Sequence, residues 1–249
     1  HDTNRALFML DHNAADSGND DLLQNPDYDW SEAIERLKGV WLLQMTLPGA
    51  PTTYYGDEVG LVGPTVVAGS RYEDDPYNRQ PYPWLDEDES NTPLGLPLYT
   101  FLQSEANQEA LRDYYRTLTA ARNSHPALRT GSFDTLLVND DDEIYAYGRL
   151  LPDYSDAAIV ILNRAGTLDS PVSQTVTVDV SGYLPVGATF VEIFTGASHT
   201  VNAGGELVVD VPGESGAVLV LDGMLDTPPA AVADLAVMDV RSGEVDLGW

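Results

Sequence analysis

Apolar positions change their period partway along the chain, and the change predicts two kinds of structure. Over "SEAIERLKGVWLLQMTL" the residues Ala33, Ile34, Leu37, Trp41, Leu42 and Met45 recur at helical spacing. Ser31 stands where an N-cap belongs, with Glu32 and Glu35 in the first turn. "PGAPTTYYGDEVG" then predicts a turn, a short β-branched and aromatic strand, and a Gly-Asp exit. A second amphipathic helix is predicted from about Ala106 to Asn123, with Leu111, Tyr114, Tyr115 and Leu118 on one face and Pro126 just past its end. Between the two lies an irregular stretch, Leu61 to about Ser104, rich in Pro, Gly, Asp and aromatics. A loop of that length in a compact domain is usually functional.

From Arg129 onward the pattern shortens. "SFDTLLV", "EIYAYGRLL", "AAIVILN", "SQTVTVDV", "ATFVEIF", "GELVVDV" and "GAVLVLD" are β-rich runs separated by Gly-, Asn- and Asp-rich turns. Many alternate apolar and polar residues, as half-buried antiparallel strands do, so this part predicts a β-sandwich of about seven or eight strands. A Pro-rich linker, "MLDTPPAAV", leads to a last alternating stretch, "ADLAVMDV…GEVDLGW".

Composition narrows the function classes. The 249 residues, 43% of them hydrophobic, suffice for a sizeable core. No apolar run approaches the roughly 18 residues of a membrane span. With no cysteine there is neither a disulfide framework nor a thiol nucleophile. Lys and Arg total 12 against 40 Asp and Glu, a formal charge of −28, and Lys38 is the single lysine. Such a surface repels phosphates, which excludes nucleic acid and anionic membrane as partners and suits neutral polar ligands such as sugars. The acidity reads either as the solubility device of a salt-exposed or secreted protein or as a coding bias.

Candidate chemistry starts at the first residues, where "HDTNR" sets His1 and Asp2 beside each other and Arg5 close behind. The loop "RYEDDPYNRQPYPW" holds Asp75 and Arg79, an acceptor and a planar donor fork suited to vicinal sugar hydroxyls, or else a surface ion pair that shapes the loop. Tyr77, Tyr82 and Trp84 are candidate sugar-stacking platforms, with packing of the loop the favoured alternative for Trp84. Tyr54 and Tyr55 read as structural. Asp57 and Glu58 either support the site or pair with a buried arginine. Asp16, Asn19, Asp20, Asp21, Asp27 and Asp29 offer oxygen ligands of the kind calcium prefers, without EF-hand spacing, so calcium stays open and no metal ligand is assigned.

These segments together resemble the α-amylase family of retaining α-glycoside hydrolases, glycoside hydrolase family 13. "HDTNR" looks like the end of the family's fourth signature at the tip of barrel strand seven, and "LPGAPTTYYGDEVGL" like its characteristic run through barrel strand eight. The Asp75–Arg79 loop is similar to that of cyclomaltodextrinases, neopullulanases and maltogenic amylases. "ALRDYYRTLTAARNSHPAL" resembles the last barrel helix. The resemblance implies three parts. Residues 1–126 would be the C-terminal part of a (β/α)8 TIM barrel, 127–224 an antiparallel β-sandwich domain C, and 225–249 a linker and the beginning of a fibronectin III-like β module.

Retaining glycosidases need a nucleophile and an acid/base carboxyl about 5–5.5 Å apart, with an oxocarbenium-like transition state. The resemblance implies that Asp2 is a third, transition-state-stabilising carboxylate, and that His1, Arg5, Asp75, Tyr77, Arg79 and Trp84 bind substrate. The nucleophile and the acid/base of the family precede the His-Asp pair. "GSRYED", Gly69 to Asp74, imitates the nucleophile motif with Glu73 in its place, but it follows strand eight and continues into the substrate loop. The chain is therefore expected to be the C-terminal part of a longer enzyme that acts on α-1,4-linked glucans or maltooligosaccharides without a required cofactor. Its expected partners are that substrate and the N-terminal barrel segment, and its expected location is extracellular. The competing expectation is a non-catalytic glycan-binding or structural β-sandwich module.

Overall fold

The computed structural model describes residues 5–11, 28–61, 82, 105–225, 236–241 and 244–248. A helical layer comes first in the chain. Helix α1 (Ala6–Leu10) and helix α2 (Ser31–Thr46) precede a 3-10 turn at Asp57–Val59, and helix α3 (Glu105–Ser124) runs into a short helix α4 (Pro126–Thr130). All six apolar positions expected on α2 are buried. Its start differs from expectation: the Asp29 carboxylate accepts the Ser31 N–H at 2.9 Å, and Ser31 is itself the first helical residue. On α3, Leu111 and Leu118 are buried, and Tyr114 and Tyr115 pack against the same core. Pro126 ends α3 as expected but also opens α4, where its missing N–H costs nothing.

The seven β runs become strands at the expected places: β1 (Asp134–Asn139), β2 (Ile144–Leu150), β3 (Ala157–Asn163), β6 (Gln174–Asp179), β7 (Thr189–Glu192), β9 (Glu206–Val211) and β10 (Ser215–Leu221). Short additions are β4 (Gly166–Thr167), β5 (Ser170–Pro171) and β8 (Ser198–Thr200). One sheet has six strands in the order β1-β2-β3-β10-β7-β8, and β6 pairs antiparallel with β9 in a second sheet. Val176, Val178, Leu207 and Val209 of the small sheet face Ile144, Ala146, Ile159, Ile161 and Leu219 of the large one, forming the sandwich core.

The opposite face of the large sheet is not solvated. Tyr147, Ala158, Val160, Val218 and Val220 pack there against Leu37, Trp41, Leu42 and Met45 of α2 and Leu118 of α3. The central strands are thus covered on both faces, which is why "AAIVILN" and "GAVLVLD" are unbroken apolar runs while β6, with one face in solvent, alternates. Burying both faces of β3 and β10 joins the helical layer and the sandwich through one core.

Two arginines close the seam between the layers. Arg149, fully buried, donates from Nη1 to the carbonyls of Thr46 and Leu128, from Nη2 to Gly131 at 3.0 Å and from Nε to Ser132 at 2.6 Å. Arg122 donates from Nη1 to Met45 at 2.6 Å and to Leu128 at 2.8 Å, and from Nη2 to Gly49. Both therefore satisfy carbonyls that α2 leaves unpaired at its C-terminus, where a cation also meets the negative end of the helix dipole. The Tyr147 hydroxyl shares a 2.6 Å hydrogen bond with Thr46 at the same place.

A final antiparallel pair, β11 (Ala236–Arg241) and β12 (Glu244–Gly248), matches the last alternating stretch. The expected strand Pro51–Tyr55 has no ladder partner among the described residues. A strand exists only through its neighbours' hydrogen bonds. The segment is held instead by side chains, the Gln44 amide donating to the Thr52 carbonyl at 2.6 Å and Thr53 sharing a hydrogen bond with the Tyr115 hydroxyl.

Candidate functional site

The chemistry-bearing residues that the structure describes meet where the Pro51–Tyr55 segment ends. Gly56 (φ +87°) and Gly60 (φ +71°) bracket the 3-10 turn, and both backbones lie in the left-handed region. A side chain on Gly56 would also come within 2.8 Å of Leu61. The two glycines thus fix the turn that presents Asp57 and Glu58.

Arg5 precedes α1 and is 3% exposed. Its guanidinium carbon lies 4.3 Å from the ring centre of Tyr54 and 4.6 Å from that of Tyr55, so two π faces help to solvate the cation. Nη1 donates to the Tyr55 carbonyl and stands 3.6 Å from Asp57 Oδ1. Nε and Nη2 are buried without a hydrogen bond. Asp57 Oδ1 is likewise buried without a hydrogen bond, and burial pushes its carboxyl up to about 6, while the nearby Arg5 charge pulls it back and Glu58 adds to the rise. Of the two expectations for Asp57, pairing with a buried arginine is what the geometry gives.

Glu58 turns the other way. Its Oε2 accepts the Gly56 N–H at 2.8 Å. It also hydrogen-bonds the hydroxyl of Tyr82, as does Arg112 of α3, and the tyrosine pKa is raised by burial first and by the Glu58 charge second. Tyr82 is half-buried. On the far side of α1, the buried Asp11 receives the Tyr28 hydroxyl at 2.9 and 3.1 Å.

Of the expected site residues, Arg5 is described, and it is enclosed by Tyr54, Tyr55 and Asp57. His1, Asp2, Asp75, Tyr77, Arg79 and Trp84 lie outside the described residues, as do Glu73 and the acidic loop apart from Asp29. Among the described residues no cluster of three or more His, Asp or Glu side chains is arranged to hold a metal ion. None of the described helices is long and apolar enough to cross a membrane. Sequence reasoning missed the Glu58–Tyr82–Arg112 link and the Arg122–Arg149 seam. One signal for the latter was available: an arginine inside the apolar run "EIYAYGRLL" of a chain with only 12 basic residues.

No family model matches the chain. An amylopullulanase of Thermoanaerobacterium saccharolyticum is 30% identical over all of the chain, which spans 17% of that relative's length. A cyclomaltodextrinase structure superposes on 89% of the chain and 28% of its own, with a TM-score of 0.54 and 23% identity. The α-amylase of Geobacillus thermoleovorans, solved with acarbose, covers 78% of the chain and 36% of its own, with a TM-score of 0.53 and 19% identity. The structures share the fold, and the amylopullulanase match over the whole of this chain carries the likeness in sequence. Along its whole length the chain is similar to part of the amylopullulanases, and its fold matches the C-terminal portion of cyclomaltodextrinase and α-amylase structures.

Proposed function

We propose that this chain contributes one wall of the active site of a retaining hydrolase of α-1,4-linked glucans or maltooligosaccharides. Asp2 acts as the carboxylate that binds sugar hydroxyls and stabilises the distorted, oxocarbenium-like glucosyl ring, and His1 hydrogen-bonds the same unit. Asp75 and Arg79 grip hydroxyls on the non-reducing side of the cut, with Tyr77 and Trp84 as apolar surfaces for the sugar rings. Residues 1–126 are the end of a (β/α)8 barrel, 127–224 its domain C, and 225–249 the start of a fibronectin III-like module. The nucleophile and the acid/base come from barrel segments that precede this chain in the polypeptide. No cofactor is required, calcium stays open, and the acidic surface fits a secreted enzyme.

One observation supports the reading: Arg5, the last residue of "HDTNR", donates to the Tyr55 carbonyl and lies 3.6 Å from Asp57, beside the "PTTYYGDEVG" run. Asp2 stands three positions before Arg5, which keeps their Cα atoms within about 11 Å in any conformation. Barrel enzymes assemble their chemistry from such strand exits. Arg5 itself, enclosed by two rings and a carboxylate, braces this junction in preference to touching sugar. Related enzymes add support for the substrate class, since the Geobacillus α-amylase was solved with acarbose.

The stereochemistry of the first product tests the proposal. Proton NMR of maltohexaose cleavage by the longest natural polypeptide carrying this sequence is expected to show the α-anomer before mutarotation. Initial release of the β-anomer, or no cleavage, would contradict it.

A further inference from the structure

Tyr154 stands in the connection between β2 and β3 with a left-handed backbone, φ 60°. Among the described non-glycine residues Glu143 and Glu214 share that conformation, in the connections before β2 and before β10. For a bulky aromatic residue it is costly, and it persists only where the surroundings enforce it. Here they do. The Tyr154 N–H donates to the Leu151 carbonyl and the Leu151 N–H to the Asp156 carbonyl, each at 3.0 Å. Asp153 Oδ1 accepts the Ser155 hydroxyl at 2.7 Å and the Ser155 N–H at 3.1 Å. The buried Asp156 carboxylate ties the loop to α4, receiving the Ala127 N–H at 2.9 Å with His125 Nδ1 at 3.0 Å. Packing of the ring does not offset the cost, because Tyr154 is 41% exposed.

Other apolar side chains stand exposed along the same end of the large sheet, where β1, β3 and β7 start and β2 and β10 end. Phe133 precedes β1 and is 42% exposed, its ring centre 4.9 Å from that of Tyr147. Val186 precedes β7 and Met224 follows β10, and both are exposed. From β1 to β7 is four strand spacings, about 19 Å. The charge of −28 makes the chain a poor host for an anion. A rigid aromatic ring held in solvent suits a neutral ligand with an apolar face, which a pyranose presents on its C–H side. Being fixed beforehand, it also loses little freedom on binding.

We propose that this end of the sandwich is a binding surface for α-glucan polymer, with Tyr154 and Phe133 as stacking platforms and Val186 and Met224 extending the apolar row. The inference rests on the proposed glucan-hydrolase reading. Joined to the active site by one polypeptide, the surface makes the second contact with a long glucan intramolecular, so it favours polymer over short oligosaccharides. In the longest natural polypeptide carrying this sequence, Tyr154→Asn removes the ring and keeps a residue that tolerates the left-handed backbone. Retention on insoluble starch is expected to weaken about 5- to 10-fold, as loss of one aromatic stack does. The kcat on maltohexaose should stay within about twofold of the parent, and Tm should hold or rise as the strain is relieved. Tyr154→Trp should keep starch binding, since it keeps a flat ring.

Starch binding by Tyr154→Asn equal to that of the parent overturns the inference. So does a loss of binding accompanied by a fall in Tm, which would make the ring a structural part. A parent that cleaves maltohexaose but is not retained on starch overturns the surface alone. A parent that neither cleaves the one nor binds the other fails the glucan-hydrolase reading itself.

Discussion

Replacing Arg149 with methionine removes the four-point bond that fastens the sandwich to the C-terminal end of α2. The side chain has no solvent exposure, and it serves the carbonyls of Thr46, Leu128, Gly131 and Ser132. Burial, and next the neighbouring Arg122 charge, lower its pKa from the ordinary arginine value, so the cation is kept by its carbonyls. In the variant, Leu128 retains the 2.8 Å bond from Arg122, whereas Thr46, Gly131 and Ser132 lose this donor. Thr46 is buried, Gly131 half-buried and Ser132 exposed, so water takes over the last and part of the second. At about 1–3 kcal/mol for a buried acceptor left without a donor, the expected loss is about 2–3 kcal/mol. With a urea dependence near 2 kcal/mol per molar, the unfolding midpoint followed by circular dichroism should fall by about 1 M. Arg149→Lys should recover little, because one ammonium cannot span four carbonyls. A midpoint within about 0.5 M of the parent in Arg149→Met would refute the claim that this arginine joins the layers.

Asp57, at about 6, binds a proton in the folded chain that the unfolded chain, near 3.8, releases earlier. Its contribution to stability is therefore full below about pH 3.8 and is lost as pH rises through 6. Relative to Asp57→Asn, the parent should lose up to about 3 kcal/mol between pH 4 and 7 in urea melts, and a pH-independent difference would contradict this. A side chain on Gly213 would lie 2.2 Å from the backbone nitrogen of Val172, so Gly213→Ala should cost about 3 kcal/mol, and an unchanged Tm would show that the β5–β9 corner yields freely. Salt should stabilise the protein. The chain carries −28, its buried cations Arg5, Arg122 and Arg149 are committed internally, and Arg36, Lys38 and Arg116 pair with helix neighbours or near neighbours. Shortening the screening length from roughly 10 Å at 0.1 M to 3 Å at 1 M NaCl should raise Tm by several degrees, and a fall would count against surface repulsion.

How far the sequence could be read depended on whether a feature is local. The helix stripe of Ala33 to Met45 and the seven β runs follow from periodicity, and they fold where that periodicity places them. The pairing of those strands was less visible. "AAIVILN" identifies a strand but not that it lies third in a six-stranded sheet with α2 on its other face. Side-chain bonds to distant carbonyls leave almost no local trace, so the Arg149 link to Thr46, 103 residues away, was not anticipated. Neither was the entry to α2, where Trp30 takes the N-cap position and Asp29 accepts the Ser31 N–H. At the candidate site, the order of His-Asp, strand-eight run and loop was legible as a family pattern. The burial of Arg5 between two tyrosines was not, because rings and guanidinium meet only after 49 and 50 residues of intervening sequence position.

The central claim is that Asp2 serves catalysis while the chain around it supports the site. The most direct measurement is kcat for maltohexaose in the longest natural polypeptide carrying this sequence, parent against Asp2→Asn, with binding of the same sugar measured calorimetrically on both. The account predicts a fall of at least about a thousandfold in kcat, some 4 kcal/mol of transition-state stabilisation, with binding held within about tenfold. An Asp2→Asn protein that binds and cleaves maltohexaose like its parent would contradict it.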